Sequence, residues 1–166
     1  MNYASEIMRI LNRELVLCSE LLYVTRAQRG VIMSGDVAGL AELVARAEQT
    51  LGKIRDAEKG LLDLAERYSA KASAERESPD KALSALIALL SEEETAELKT
   101  LRDSIADILV DIDSANAINA MLLRDSIQYI ENTVKSIAEA DGANSVYSRL
   151  GRLDEKAAAS TVNETA

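Results

Sequence analysis

"LKTLRDSIADILVDIDSANAINAMLLRDSIQY", residues 98–129, governs how the rest of the chain is read. Apolar or small residues recur in it at Leu98, Leu101, Ile105, Ile108, Ile112 and Ala115, and the same steps of three and four lead on through Asn119, Leu122, Ser126 and Tyr129. That alternation holds for about four heptads, the signature of a long helix that packs one narrow stripe on other helices. Such a helix is expected over about 92–140. Ser91 and Glu94 have capping-box spacing at its start, and the acids of "SEEE" suit the positive end of the helix dipole. At ~1.5 Å per residue it would be ~70 Å long.

Upstream, Ile7, Leu11, Leu15, Cys18, Leu22, Thr25 and Ile32 form one stripe of a first long helix, about 3–33. Gly35-Asp36 then offers a break and an N-cap. A second stripe of Leu40, Leu43, Ala47, Leu51, Ile54, Leu61, Ala65 and Tyr68 gives a helix over about 37–70, antiparallel to the first across so tight a turn. Gly52 and Gly60 inside it each cost ~1 kcal/mol relative to Ala. They either permit close backbone approach or lie on the surface. A polar stretch, residues 69–80, leads to Ser78-Pro79-Asp80, a helix start that opens a short apolar helix over about 79–90. The first two helices are each ~45 Å by the same arithmetic, so part of the third must protrude or find another partner. The expected fold is all-α: an elongated antiparallel bundle of three long helices plus one short helix over residues 1–140. Residues 141–166 are small, polar and nearly charge-balanced, with few anchors beyond Val146, Tyr147, Leu150 and Leu153, and are expected to form a mobile C-terminal tail.

A chain of 166 residues suits a single domain. With 19 Lys+Arg against 28 Asp+Glu the formal charge is −9, and so acidic a surface repels phosphate, which argues against DNA, RNA or anionic membranes as partners. Trp and Phe are missing and the hydrophobes are mostly Leu, Ile and Ala, which build thin helix–helix seams rather than thick cores. The single cysteine, Cys18, excludes an intramolecular disulfide, suits a reducing compartment and reads as a small core residue. Tyr23 and Tyr68 read as boundary residues of the bundle. "MNYASEIMRI" lacks the pattern of a secretory signal, and the longest uncharged runs are about half the ~20 residues of a membrane span. A cytoplasmic protein without membrane insertion is expected.

The chemistry points away from catalysis. With no histidine there is no imidazole shuttle and no usual zinc ligand, and Cys18 has no histidine to activate it. "GDVAG" lacks the Lys-Ser/Thr of a phosphate loop. Glu92, Glu93, Glu94, Asp111 and Asp113 read as solvated helix faces. No cofactor, metal or catalytic residue is expected, which leaves binding. Asn116 and Asn119 stand beside Leu122 and Leu123, where a buried seam would carry leucine. A buried amide without partners costs ~1–3 kcal/mol, so something must answer these groups. They either fix helix register, a known use of Asn on such a seam, or line a groove held open for a partner helix. Periodicity alone favours register.

"NAINAMLL", with Asn-x-x-Asn-x-x-Leu-Leu at 116–123, is followed some twenty residues later by "VYSRLGR", in which Tyr147 and Gly151 form Tyr-x-x-x-Gly, and by a polar tail with Ser160 and Asn163. The front half, with its Gly-Asp break between two Leu-rich helices, fits the same pattern. Over essentially its whole length the chain resembles the FlgN family of flagellar export chaperones. The resemblance implies a cytoplasmic, non-enzymatic chaperone of the type III flagellar export apparatus. It would bind the C-terminal helical segments of hook-associated (hook–filament junction) proteins, prevent premature assembly and deliver them to the export gate. It implies export-gate docking through Tyr147 with Gly151. The cargo groove expected on the third helix comprises Asn116, Asn119, Leu122, Leu123, Ile127, Ile130, Val134 and Ile137, read as helix-in-groove anchors. Two other classes remain open from the residues: a structural coiled-coil homodimer, with the third helix pairing with itself, and a helical adaptor or signalling bundle.

Overall fold

The structure, a computed structural model, describes residues 3–71, 84, 87, 88 and 90–144, and of 68–71 and 140–144 the backbone alone. Every regular element among the described residues is an α-helix: α1 (Tyr3–Ser34), α2 (Val37–Lys71) and α3 (Glu92–Asn144). These bounds follow the hydrophobic periodicity, and α3 runs on past the expected end to 53 residues. The short helix expected at 79–90 falls largely outside the described residues, although the Ala88 N–H donates to the Ser84 carbonyl at 3.0 Å. Of the mobile tail expected at 141–166, residues 141–144 instead continue α3, and the remainder, with Tyr147 and Gly151, lies outside the described residues.

The break between α1 and α2 is a two-residue device. Gly35 takes a φ of 69°, in the left-handed region where a Cβ is penalised. That turn lets the Gly35 N–H donate to Ile32 O at 3.1 Å and the Asp36 N–H to Val31 O at 2.9 Å, the paired bonds of a Schellman C-cap. Asp36 immediately starts the next helix, its Oδ1 accepting from the Gly39 N–H at 2.9 Å. A Cβ at Gly39 would crowd that carboxylate, so a larger residue there would make the Asp36 side chain shift. Asp36→Ala is expected to lower stability by about 1 kcal/mol, the usual value of a lost N-cap, measured by urea unfolding. α3 begins on the expected capping box: the Glu94 N–H donates to Ser91 Oγ at 3.2 Å and the Ser91 N–H to Glu94 Oε2 at 2.9 Å.

The chain divides into two compact units, Met1–Leu122 and Leu123–Ala166. The core of the first is built around α1. Besides Ile7, Cys18, Thr25 and Ile32 of the expected stripe, α1 buries Ile10, Leu17, Leu21 and Val24. The apolar face is wider than a single seam because α1 has two neighbours. It meets α2, where Arg46 reaches Glu20 at 2.9 Å, and α3, where Arg26 reaches Asp111 at 2.7 Å. One cluster joins Leu17, Cys18 and Leu21 to Ile54 of α2 and to Ile105 and Ile112 of α3. A second joins Ile7 and Ile10 to Ala57 and Leu64.

On α2 the buried stripe departs from the expected one. Thr50 is buried, whereas Leu51 is 39% exposed. Strict alternation from Leu43 runs through Ala47, Thr50, Ile54, Ala57, Leu61 and Leu64, and Thr50 satisfies its hydroxyl on the Arg46 carbonyl at 3.0 Å. The more hydrophobic neighbour is not the better-placed one. Neither Gly52 nor Gly60 serves close approach: a Cβ at Gly60 would lie 4.0 Å from Ile10 Cδ1, and one at Gly52 would meet nothing within 4 Å.

Candidate functional site

The buried stripe of α3 runs through Ile105, Ile112 and Ala115 to Asn119, which is only 5% exposed. Its Nδ2 donates to the Thr25 carbonyl at 2.8 Å and to Gln28 Oε1 at 3.3 Å. A helical carbonyl has a second lone pair beyond its ladder bond. Thr25 keeps its own hydroxyl out of the way, donating it to Leu21 O at 2.9 Å. The amide therefore ties α3 to α1 at one axial level, since leucine at this step of the stripe would pack equally well one turn away. No buried side-chain polar atom among the described residues is left without a partner. Asn116 is exposed and Leu122 half-buried. The two asparagines, three residues apart, do different things.

The second unit begins at Leu123, and the character of α3 changes with it. Leu123, Ile127, Ile130, Val134 and Ile137 follow one another in steps of four, three, four and three, on one face of the helix. All five are exposed, from 37% at Leu123 to 60% at Val134. The positions that continue the buried stripe in sequence are Ser126, Tyr129, Thr133 and Ser136. Tyr129, expected on the buried stripe from spacing alone, is instead 73% exposed. Thr133 and Ser136 turn their hydroxyls back to Tyr129 O at 2.8 Å and Asn132 O at 2.9 Å, so their polar atoms are spent on their own helix. With Asn132 and Ile137 these residues line a shallow hollow beside the apolar row. A contiguous exposed apolar face is what an interaction surface looks like on a polar protein.

The sequence matches a protein family described as FlgN protein over residues 1–155. The chain belongs to the FlgN family. No curated protein and no solved structure matches it. FlgN proteins are flagellar export chaperones rather than enzymes. The FlgN match takes in α1, α2 and α3 whole and continues through Tyr147 and Gly151. Among the described residues no group of three or more metal-ligating side chains occurs, and no helix is long and apolar enough to cross a membrane.

A second feature of this FlgN chain was not anticipated from its sequence. Within the first unit Ile7, Leu11, Leu61, Leu62, Ile87 and Leu98 wall a cleft of about 460 Å³, bordered by Glu14, Glu58 and Arg102. Burial, and secondarily the neighbouring Glu58 charge, pushes the Glu14 carboxyl up from its ordinary range. Burial and the same two carboxylates push the Cys18 thiol up as well, which keeps it protonated and inert. The available signal was Glu14 itself, an acid one turn from both Leu11 and Cys18 on the inward side of α1. A carboxyl raised on folding disfavours the folded state once ionised, so its cost is absent below the unfolded value, grows as pH rises from there toward the folded one, and is complete above it. Glu14→Gln is therefore expected to raise stability at pH 7 and to give no advantage at pH 3.5, measured as urea midpoints at the two pH values.

Proposed function

We propose that this protein is a cytoplasmic flagellar export chaperone that holds the C-terminal helical segment of a hook-associated protein. The observation that carries the reading is the exposed row Leu123, Ile127, Ile130, Val134 and Ile137. Its steps of four and three are those of a helix seam, and a partner helix would seat its own apolar residues along it. Terminal segments that later polymerise need covering until export, and a temporary helical partner covers them without chemistry. The cargo, once held, is delivered to the flagellar export gate through Tyr147 with Gly151. Of the groove residues expected from the sequence, Asn116, Asn119 and Leu122 lie in the first unit, where the Asn119 amide is spent on the Thr25 carbonyl. The scaffold in this reading is an antiparallel bundle with a short fourth helix at 79–90. Pairs such as Glu20 with Arg46 and Ile10 near Gly60, which fall along α1 as they rise along α2, support the antiparallel packing.

The test is a calorimetric titration with the C-terminal segment of a hook-associated protein. A saturable one-to-one heat with a negative heat-capacity change is expected from apolar helix burial. No heat, with a mass of twice the monomer in the same solution, would replace the chaperone by a homodimer paired through the same row. Tyr147→Ala is expected to leave that titration unchanged and to reduce export of the cargo in cells. Loss of binding in the variant would move Tyr147 from the gate to the cargo.

A further inference from the structure

We propose that the cleft of the first unit is a second binding site, apart from the cargo row, for a partner's amphipathic segment with a lysine or arginine one helical turn from its apolar side chains. The cleft is walled by the apolar side chains of Ile7, Leu11, Leu61, Leu62, Ile87 and Leu98. Its volume of about 460 Å³ is in the range of pockets that bury a ligand and holds several side chains of leucine size. The border is what selects the occupant. Glu14 comes from α1 and is half-buried, and Glu58 comes from α2 and is exposed. Among the described residues neither carboxylate has an ion-pair partner, and the guanidinium of Arg102 turns to its neighbour Asp103 at 3.4 Å. Two carboxylates against the one guanidinium of Arg102 leave the border net acidic, which disfavours an acidic peptide. They attract a cation whose aliphatic arm can lie along Leu61 and Leu62. Core packing alone does not account for Glu14, since glutamine would fill the same volume without the charge.

The experiment follows the Ile and Leu methyl signals of the full-length protein during titration with a Leu/Lys amphipathic peptide, and with the same peptide carrying Glu for Lys. The Lys peptide is expected to shift the methyls of Ile7, Leu11, Leu61 and Leu98 saturably, and the Glu peptide to leave them in place. Glu14→Gln combined with Glu58→Gln is expected to weaken the Lys peptide roughly tenfold, the worth of two partly exposed ion pairs. The exposed control Glu92→Gln with Glu93→Gln is expected to change nothing. Equal weakening by the control would mean attraction to the acidic surface at large and would overturn the site. Shifts confined to Ile127, Ile130 and Ile137 would do the same, as would no shifts at all. Cleft methyls that move on Lys81→Glu with no peptide present would assign the cleft to the chain's own segment between α2 and α3. Methyl shifts that depend on protein concentration would assign it to a second copy.

Discussion

Asn119→Asp is expected to cost about 3 kcal/mol or more at pH 7, the penalty for a buried charge facing the wrong groups. The substitution changes almost no volume and exchanges a donor for an acceptor. The native amide donates to Thr25 O and Gln28 Oε1 from a site that is 5% exposed. A carboxylate there faces two oxygens with nothing to give them. Protonation is the escape, so the introduced carboxyl would titrate above its unfolded value. The penalty is then full above the folded pKa and fades as pH falls through it toward the unfolded value of ~4. Asn119→Leu removes the donor without burying a charge, and Thr25 O keeps its helical bond, so a loss of only about 1 kcal/mol is expected. Urea unfolding of the three proteins at pH 7 and pH 4.5 checks both the order and its collapse in acid. Equal stability of Asn119→Asp and the parent at pH 7 would mean that the amide does not hold α3 to α1.

Ile130→Glu combined with Ile137→Glu is expected to weaken binding of a hook-associated C-terminal segment at least ~100-fold, as the loss of two central apolar anchors does at a helix interface. Neither side chain is core in the free protein: they are 59% and 58% exposed. Helix content and the unfolding midpoint should therefore be unchanged, and this combination separates a binding surface from a structural one. Val16→Glu is the control, because Val16 is 66% exposed on α1 in the first unit. A similar loss from Val16→Glu would reduce the effect to general hydrophobic adhesion. A fall in the unfolding midpoint of the double variant would mean that the row is covered within the free chain.

Much of this was legible in order along the chain, for reasons that are local. Helix starts and stops are written in residues that act on their own backbone: Gly35 and Asp36 at one junction, Ser91 and Glu94 at another. The 3-4 alternation of α3 is a property of one helix, and the step from apolar to amide at Asn119 is visible without any neighbour. The absence of histidine, tryptophan and phenylalanine narrows chemistry and packing before any fold exists.

What the spacing left open was which partner each position meets. Thr50 outranks Leu51 because burial depends on the angle toward α1, and a threonine that bonds its own helix fits the interior as well as a leucine would. α1 carries more buried residues than its first stripe shows because it has neighbours on two sides, which periodicity within one helix cannot count. Asn116 and Asn119 are the same residue type at related positions, yet one is exposed and the other bonded to α1. The sequence by itself determined the three long helices, where each of them starts, and the resemblance to the FlgN family. Only the tertiary structure decided that the Asn119 amide goes to Thr25, that the row from Leu123 to Ile137 is exposed, and that Glu14 and Glu58 border one cleft. The division is physical: caps and periodicity act within a few residues, whereas burial and hydrogen-bond partners depend on chain segments brought together from up to 94 positions apart.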